Sequence, residues 1–501
     1  MPSNASIFRL ITLVAGVIAF EGTSVATDLA ASGEVMPLRS VEGATFGNRL
    51  DLDGEWLAIG ADRDAHVAEA GAVHVYRRDA GEWRHRQVLV APDAAPGDHF
   101  GLPVAIRRDV MLVGAPGDDD LGFWSGSAYV FRLLDGIWRF EAKLRPPVAE
   151  NSNALFGLTL CFGRSSDEVV VNAYLESVED DAEGGVWIFH RNAGTWVARQ
   201  RLGLPGPRVA AYFGRSVAVE GELLAIGASG LVSANGFRHG GVALHRAVGD
   251  LWQLDTMLIP VHPEPYQVFG EWIDLAGDAL VVGAPFEDAF GVDVGAVHVH
   301  HIVDGEPRFD RRIGPGEVEG IQGFGFPCIL SDDGARLYAG GYAAEVDGII
   351  EAGSGWILER HDLEWGPAVR LRPDQPEASA FFGIGAAMGA DRILISAPRA
   401  DTNGLDAGEV LEFPLPDCDG NGRLDAAEII GGELGDQDGD GVPDACEPLR
   451  GDFDGDGVVN GVDLGHFNSL WGTDGSLGGD FNGDGIVDGG DLAILLGNWA
   501  H

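Results

Sequence analysis

Acidic and amide residues near the C-terminus recur at spacings that suit a hard divalent cation. Asp417, Asp419, Asn421, Arg423, Asp425 and Glu428 fall at positions 1, 3, 5, 7, 9 and 12 of one loop. The same template fits Asp436, Asp438, Asp440, Val442, Asp444 and Glu447, then Asp452, Asp454, Asp456, Val458, Asn460 and Asp463, then Asp480, Asn482, Asp484, Ile486, Asp488 and Asp491. Alternate oxygens converge on an ion such as Ca2+, a carboxylate at position 12 closes the shell, and glycine at position 6 (Gly422, Gly441, Gly457, Gly485) permits the sharp turn. Position 7 supplies a backbone carbonyl, so Arg423, Val442, Val458 and Ile486 serve through main chain alone. Between residues 417 and 501 there are 19 acids against 2 arginines. A disordered acidic tail would not place them in this register four times, so calcium is the expected cofactor.

The elements ahead of these loops are organised by a Phe-Gly pair that returns seven times, at Phe46, Phe100, Phe156, Phe213, Phe269, Phe324 and Phe382, at intervals of 54, 56, 57, 56, 55 and 58 residues. A period of this length marks a repeat architecture. Each unit reads as four short strands separated by turn residues. In the second, Phe100-Gly101 opens an apolar strand, Arg108-Asp109 turns, and Met111 to Val113 leads to Gly114-Ala115-Pro116. An acidic loop, the strand from Gly126 to Phe131, a turn at Asp135-Gly136 and a strand carrying Trp138 complete it. Seven such units predict an all-β, seven-bladed propeller over 27–416. The last unit lacks a fourth strand, and Glu34 to Ser40 is expected to supply it from the N-terminus, leaving no sheet edge open.

The units resemble FG-GAP repeats, the unit of the N-terminal propeller of integrin α subunits and of many secreted bacterial proteins. Gly114-Ala115-Pro116 and Gly283-Ala284-Pro285 carry the motif, and the other copies vary: Gly60-Ala61-Asp62, Asn172-Ala173-Tyr174, Gly227-Ala228-Ser229, Gly340-Gly341-Tyr342 and Ser396-Ala397-Pro398. Integrin-type propellers often hold calcium between the first two strands of a blade. Here that connection is tight, as at Asp53-Gly54, Glu220-Gly221 and Gly277-Asp278, so calcium is not expected inside the propeller. The resemblance implies that ligands bind on the face carrying the loops between second and third strands. Asp62 and Asp64, Asp118 to Asp120, Asp180 and Asp181, Asp288 and Asp293, and Asp401 and Asp406 gather in those loops.

The tail resembles two calcium modules. The third and fourth loops, each followed by an apolar stretch of helical length (464–471 and 492–499), resemble a type I dockerin over 451–501. In cellulosomal dockerins the two residues before the last ligand help recognise cohesin. Gly461-Val462 and Gly489-Gly490 differ from the hydroxyl-bearing pairs common there, which argues against a cellulosomal cohesin and leaves a cohesin-like or surface docking partner. The second loop resembles a thrombospondin type 3 repeat, so 417–448 reads as a calcium-stiffened connector, pinned by Cys418 and Cys446 as a plausible disulfide.

Other residues carry weaker chemistry. His298, His300 and His301 cluster, but Val297 to His300 occupies the third-strand slot, which favours packing over metal ligation. Trp83, Trp138, Trp196, Trp252 and Trp365 recur at one fourth-strand position and read as structural rather than as a sugar platform. Cys161 and Cys328 fall nearly opposite each other on a seven-fold ring, so both are expected buried and unpaired. No nucleophile elbow, zinc-protease helix, phosphate loop or dinucleotide fingerprint is present, which shifts the reading from enzyme toward binding protein.

A net charge of -45 argues against nucleic acid and anionic membranes as partners. Residues 1–26 read as a cleaved export signal, with no membrane span left after cleavage. The expectation is a secreted, calcium-binding adhesion or interaction protein. Its propeller would recognise an extracellular protein or glycan and its tail would anchor it. The alternative is an exported polysaccharide lyase or hydrolase with its active site on one propeller face.

Overall fold

A strand flanked on both edges and covered on both faces reads as continuously apolar, whereas a strand with one wet face alternates. The second and fourth strands of each repeat differ in this way. In the computed structural model Val110–Ala115 and Glu168–Ala173 are buried at every position, while Thr195–Leu202 alternates between exposed and half-buried residues. The structure describes residues 28–29, 31–35, 37, 41–64, 70–148, 152–177, 182–205, 210–232, 236–289, 292–314, 323–361, 364–402, 404–436, 442–446, 451–454, 458–474, 478–482 and 484–499. The expected export signal lies outside them, as do Asp180, Asp181, Asp438, Asp440, Glu447 and Asp456.

The repeats form a seven-bladed β-propeller of four-stranded antiparallel sheets. Blade 2 is typical, with Val104–Arg107, Val110–Ala115, Ser127–Leu134 and Ile137–Leu144 hydrogen-bonded in that order. First strands stand beside one another around the axis. Gly33–Glu34 closes the ring as the outer strand of blade 7, with Gly33 opposite Glu412 and Glu34 opposite Leu411. It is shorter and earlier than the strand expected at 34–40. Asp28–Leu29 adds in parallel to Val369–Leu371 at the edge of blade 6, a pairing that the repeat pattern does not signal.

The Phe-Gly pair is the joint between blades. Every one of the seven Phe rings is at most 1% exposed. The Phe N–H donates to the carbonyl two residues ahead of the preceding blade's third strand, as in Phe100 to Ala70 at 2.8 Å and Phe46 to Ala407, across the closure, at 3.0 Å. That approach leaves no room beside the preceding blade's glycines. A Cβ on Gly71 would lie 2.2 Å from Phe100 O, and one on Gly60 2.0 Å from Gly101 O. The cores therefore lie between blades. Val73, Val75 and Leu89 of blade 1 pack with Phe100, Met111 and Trp138 of blade 2, while Val410 and Leu394 pack with Phe46 and Leu57 at the closure.

Contacts divide the chain into Met1–Leu415 and Pro416–His501. The second unit carries three helices, α1 (Asp425–Gly431), α2 (Gly461–Leu470) and α3 (Gly489–Gly497). α2 and α3 begin three residues before the apolar stretches expected to form them. Asn460 and Asp488 cap them with their side chains, and the position-12 residues Asp463 and Asp491 return the bond in a capping box. Val459, Phe467, Leu470, Val487 and Leu495 form a small core there. Among the described residues no helix is long and apolar enough to cross a membrane.

Candidate functional site

Strand alternation puts the second-to-third loops and the blade-to-blade connections on one face of the propeller. The acids that gather in those loops do not all face solvent: Asp62, Asp64 and Asp118 are buried. The reason is a cross-strand network in fixed register. In blade 2 Asp118 accepts from Tyr129 (3.0 Å) and Lys143 (2.6 Å), which sit opposite each other on strands three and four. In blade 3 the set is Glu176, Trp187 and Arg201, and in blade 5 it is Glu287, His298 and Arg312. In blade 1 Asp64 meets His74 at 2.9 Å. A buried carboxylate without such partners would carry a desolvation penalty of several kcal/mol. Burial opposes ionisation of Glu287, but His298 and Arg312 outweigh it and hold the carboxyl below its usual range. For Asp62, bonds from His99, Thr45 and Asn48 do the same against burial.

Other loop acids shape the turns themselves. Asp119, Asp288 and Asp401 each accept the N–H five residues on, from Trp124, Asp293 and Asp406, all of which hold positive φ near 50°. Besides the exposed Asp119, Asp288 and Asp401, these turns present apolar side chains outward. Phe123 and Trp124 stack at 5.3 Å and are 61% and 43% exposed, and Phe237, Tyr266, Phe286, Val292, Ile350 and Leu405 are exposed on the same face. The hairpin tips of the opposite face expose Leu134, Ile137, Val248, Leu251 and Val303, with no aromatic ring among them.

At the centre of the loop-bearing face half-buried aromatic rings alternate with arginines around the axial mouth. Trp272 meets Phe326 edge-on at 5.2 Å, Phe326 meets Tyr342 at 5.7 Å, and Tyr342 meets Phe381 at 5.9 Å. Arg49 lies 5.3 Å over Trp272, and Arg215 covers Tyr174 and Phe326 at 5.5 and 5.8 Å, within cation–π range. Arg215 is neutralised by Glu271 at 2.7 Å.

The opposite end of the axis is a cavity of about 790 Å³ walled by first strands. Asp51 and Asp274 face it from blades 1 and 5. Each carboxylate receives two backbone N–H groups, one from the next blade: Ile106 to Asp51 at 2.6 Å and Leu330 to Asp274 at 2.8 Å. Burial nevertheless pushes them up, to about 7 and about 6. Cys161 lines this cavity and is half-buried rather than buried as expected, while Cys328 is buried; both are free thiols. Burial raises the Cys161 thiol to about 12.

The C-terminal loops show a different chemistry. In the first, Gly422 takes φ 86° and its N–H donates to Asp417 at 2.8 Å, wrapping the chain around the acids. Asp417 Oδ1 and Glu428 Oε2, at positions 1 and 12, are buried with no hydrogen-bond partner. Two orphaned carboxylate oxygens in one loop fit a divalent cation. In the third loop carboxylate oxygens of Asp452, Asp454 and Asp463 lie within 4.8 Å of one another. Backbone N–H groups of Asn460, Phe453 and Asp454 hold Asp463 below the usual carboxylate range, and Asp488, Asn482 and Phe481 do so for Asp491. Of the second loop, Asp436, Val442 and Asp444 are described. Cys418 and Cys446 form a disulfide with Cα atoms 5.8 Å apart.

The histidines are engaged in packing. His298 binds Glu287 at 2.6 Å, His300 packs on Phe309 at 5.5 Å, and burial lowers His300 to about 3. Among the fourth-strand tryptophans, Trp138, Trp252 and Trp365 are buried. Sequence reasoning passed over the axial mouth, because Arg49 and Trp272 share one repeat position and Arg215 and Phe326 another, yet the residue types differ from copy to copy and the side chains meet only once the ring closes.

Residues 83–131, from the outer strand of blade 1 through the third strand of blade 2, match the FG-GAP repeat family. The chain is also similar to human integrin alpha-11, with 26% identity over 252 residues, covering 44% of this chain. The match spans 21% of that integrin's length.

Proposed function

We propose that this is an extracellular adhesion or interaction protein whose propeller binds a protein or glycan through the face bearing the second-to-third strand loops. The observation that carries the reading is the segregation of exposed aromatic side chains. Phe123, Trp124, Phe237, Tyr266 and Phe286 all lie in loops of that face; Phe140 is exposed on an outer strand, and among the described residues the tips opposite present no exposed aromatic ring. Exposed apolar surface is retained where it is covered by a partner. The FG-GAP match and the likeness to an integrin α subunit support the same reading. A polysaccharide-active enzyme draws no support from this face, because its buried acids are already tied to Tyr129, Lys143, Trp187, Arg201, His298 and Arg312.

The C-terminal unit anchors the protein in a calcium-dependent way, with a thrombospondin-like connector over 417–448 and a dockerin-like module over 451–501. Asp417, Asp419, Asn421 and Glu428 hold the ion in the first loop, Asp452, Asp454 and Asp463 in the third, and Asp480, Asn482, Asp484 and Asp491 in the fourth. Bound calcium supplies charge neutralisation and folding energy to loops too acidic to close tightly alone. Binding of the intact protein to arrayed glycans and surface proteins, with and without chelator, tests both halves. Trp124→Ala with Tyr266→Ala should abolish ligand capture, and chelation should abolish anchoring. Capture unchanged by the double substitution would overturn the assignment of the face.

A further inference from the structure

At the axial mouth Arg215 is paired with Glu271, whereas Arg49 is not paired. Arg49 donates to Asn48 O at 2.7 Å and stacks on Trp272, yet among the described residues no carboxylate lies within ion-pairing distance of it. Arg238 over Tyr212 at 5.5 Å and Arg399 over Phe381 at 4.9 Å likewise have no acidic partner among the described residues. This occurs in a chain with 78 acids and 33 basic residues, where a carboxylate would be easy to supply. Arg49 is also placed at an energetic loss. Burial and repulsion from Arg215 push its guanidinium down to about 10, and Asp62 only partly offsets them. A guanidinium without a carboxylate partner, held among the first strands at the axis, keeps donors available for a counter-charge from outside.

The geometry points to the axial mouth as a carboxylate-binding site, in which Arg49, next to the Glu271-paired Arg215, receives a single acidic side chain of a partner protein. This rests on the assignment of the loop-bearing face as the ligand surface and specifies what enters its centre. A planar guanidinium presents paired N–H donors that match a carboxylate. The arginines already cover Trp272, Tyr174 and Phe326, so those faces are not open for a sugar to stack on. A polyanionic ligand would meet the field of a protein of net charge -45, whereas one acidic side chain on a neutral or basic partner would not. The exposed rings of Trp124 and Tyr266 farther out on the same face suit the apolar surround of such a group.

Propionate, the side-chain analogue of glutamate, is the probe. Thermal unfolding of the intact protein is followed with propionate, with neutral propionamide and with sodium chloride at matched ionic strength. At roughly ten times its dissociation constant propionate should raise the propeller midpoint by about 2 °C, and propionamide should not. Arg49→Met should abolish the rise while leaving the ligand-free midpoint equal or higher, because it removes an unpaired desolvated charge; Arg49→Gln serves as a second neutral variant. No rise with propionate, a rise that persists in both variants, or a rise with galacturonate and none with propionate would overturn the proposal. The face assignment is read separately, through Trp124 and Tyr266, so either can fail alone.

Discussion

Lys143, the only lysine in the chain, stands where a metal ion would stand among Asp93, Asp118 and Asp120, with its Nζ at 2.8, 2.6 and 2.7 Å from them. Burial opposes its charge, but the three carboxylates raise its pKa. Lys143→Met should therefore cost about 3 kcal/mol by leaving Asp118 buried without its cation, read as a lower denaturant midpoint. Asp51 gives a prediction of opposite origin. Its folded-state pKa is raised, so the stability it allows is fully present below about pH 4 and is lost as pH rises through about 7. Asp51→Asn should flatten the decline in stability across that window, measured by denaturant midpoints at several pH values. The sequence showed which residues were acidic but not which were buried. Asp118 and Asp119 are neighbours in the loop after the second strand, yet one pairs with Lys143 and the other closes a turn.

Elements were legible where burial wrote a pattern. The apolar second strand, the tryptophan of the fourth strand and the Phe-Gly spacing all follow from a sheet packed between two others, and each was readable from the sequence; the wet and dry alternation of the fourth strand became visible only in the structure. The break in register between third and fourth strands, as at Val75/Tyr76 and Val299/His300, was not readable either, because a bulge leaves composition unchanged. α1 was missed because its short run of Ala426, Ala427 and Glu428 sits inside a calcium-loop spacing that draws the reading away from helix. Two predictions belong here. Gly295→Ala would put a Cβ 2.4 Å from Phe324 O and should destabilise by more than about 3 kcal/mol, whereas Gly81→Ala, with positive φ but open space around it, should cost about 1 kcal/mol. Glu428→Gln should weaken calcium binding at one site by at least about tenfold in calorimetry of the full chain, leaving the other sites in place.

At the scale of the molecule, the ring explains why residues far apart in sequence can form one surface. Closure by Gly33–Glu34 leaves seven inner strands to set the channel and seven outer loops to set a face. Seven in-phase repeats made the ring readable from the sequence, whereas the mouth built by Arg49, Arg215 and Trp272 depends on which blades become opposite neighbours. The central claim is that recognition belongs to the loop-bearing face. The most direct measurement compares two variants of the intact protein on an array of glycans and extracellular proteins, one with Phe123, Trp124, Tyr266 and Ile350 changed to serine and one with Leu134, Val248 and Leu251 changed to serine. The account predicts that the first loses at least about tenfold in affinity for every ligand the wild type captures, by removal of its buried anchors, while the second binds as the wild type does. Equal binding by both variants, or loss confined to the second, would contradict it.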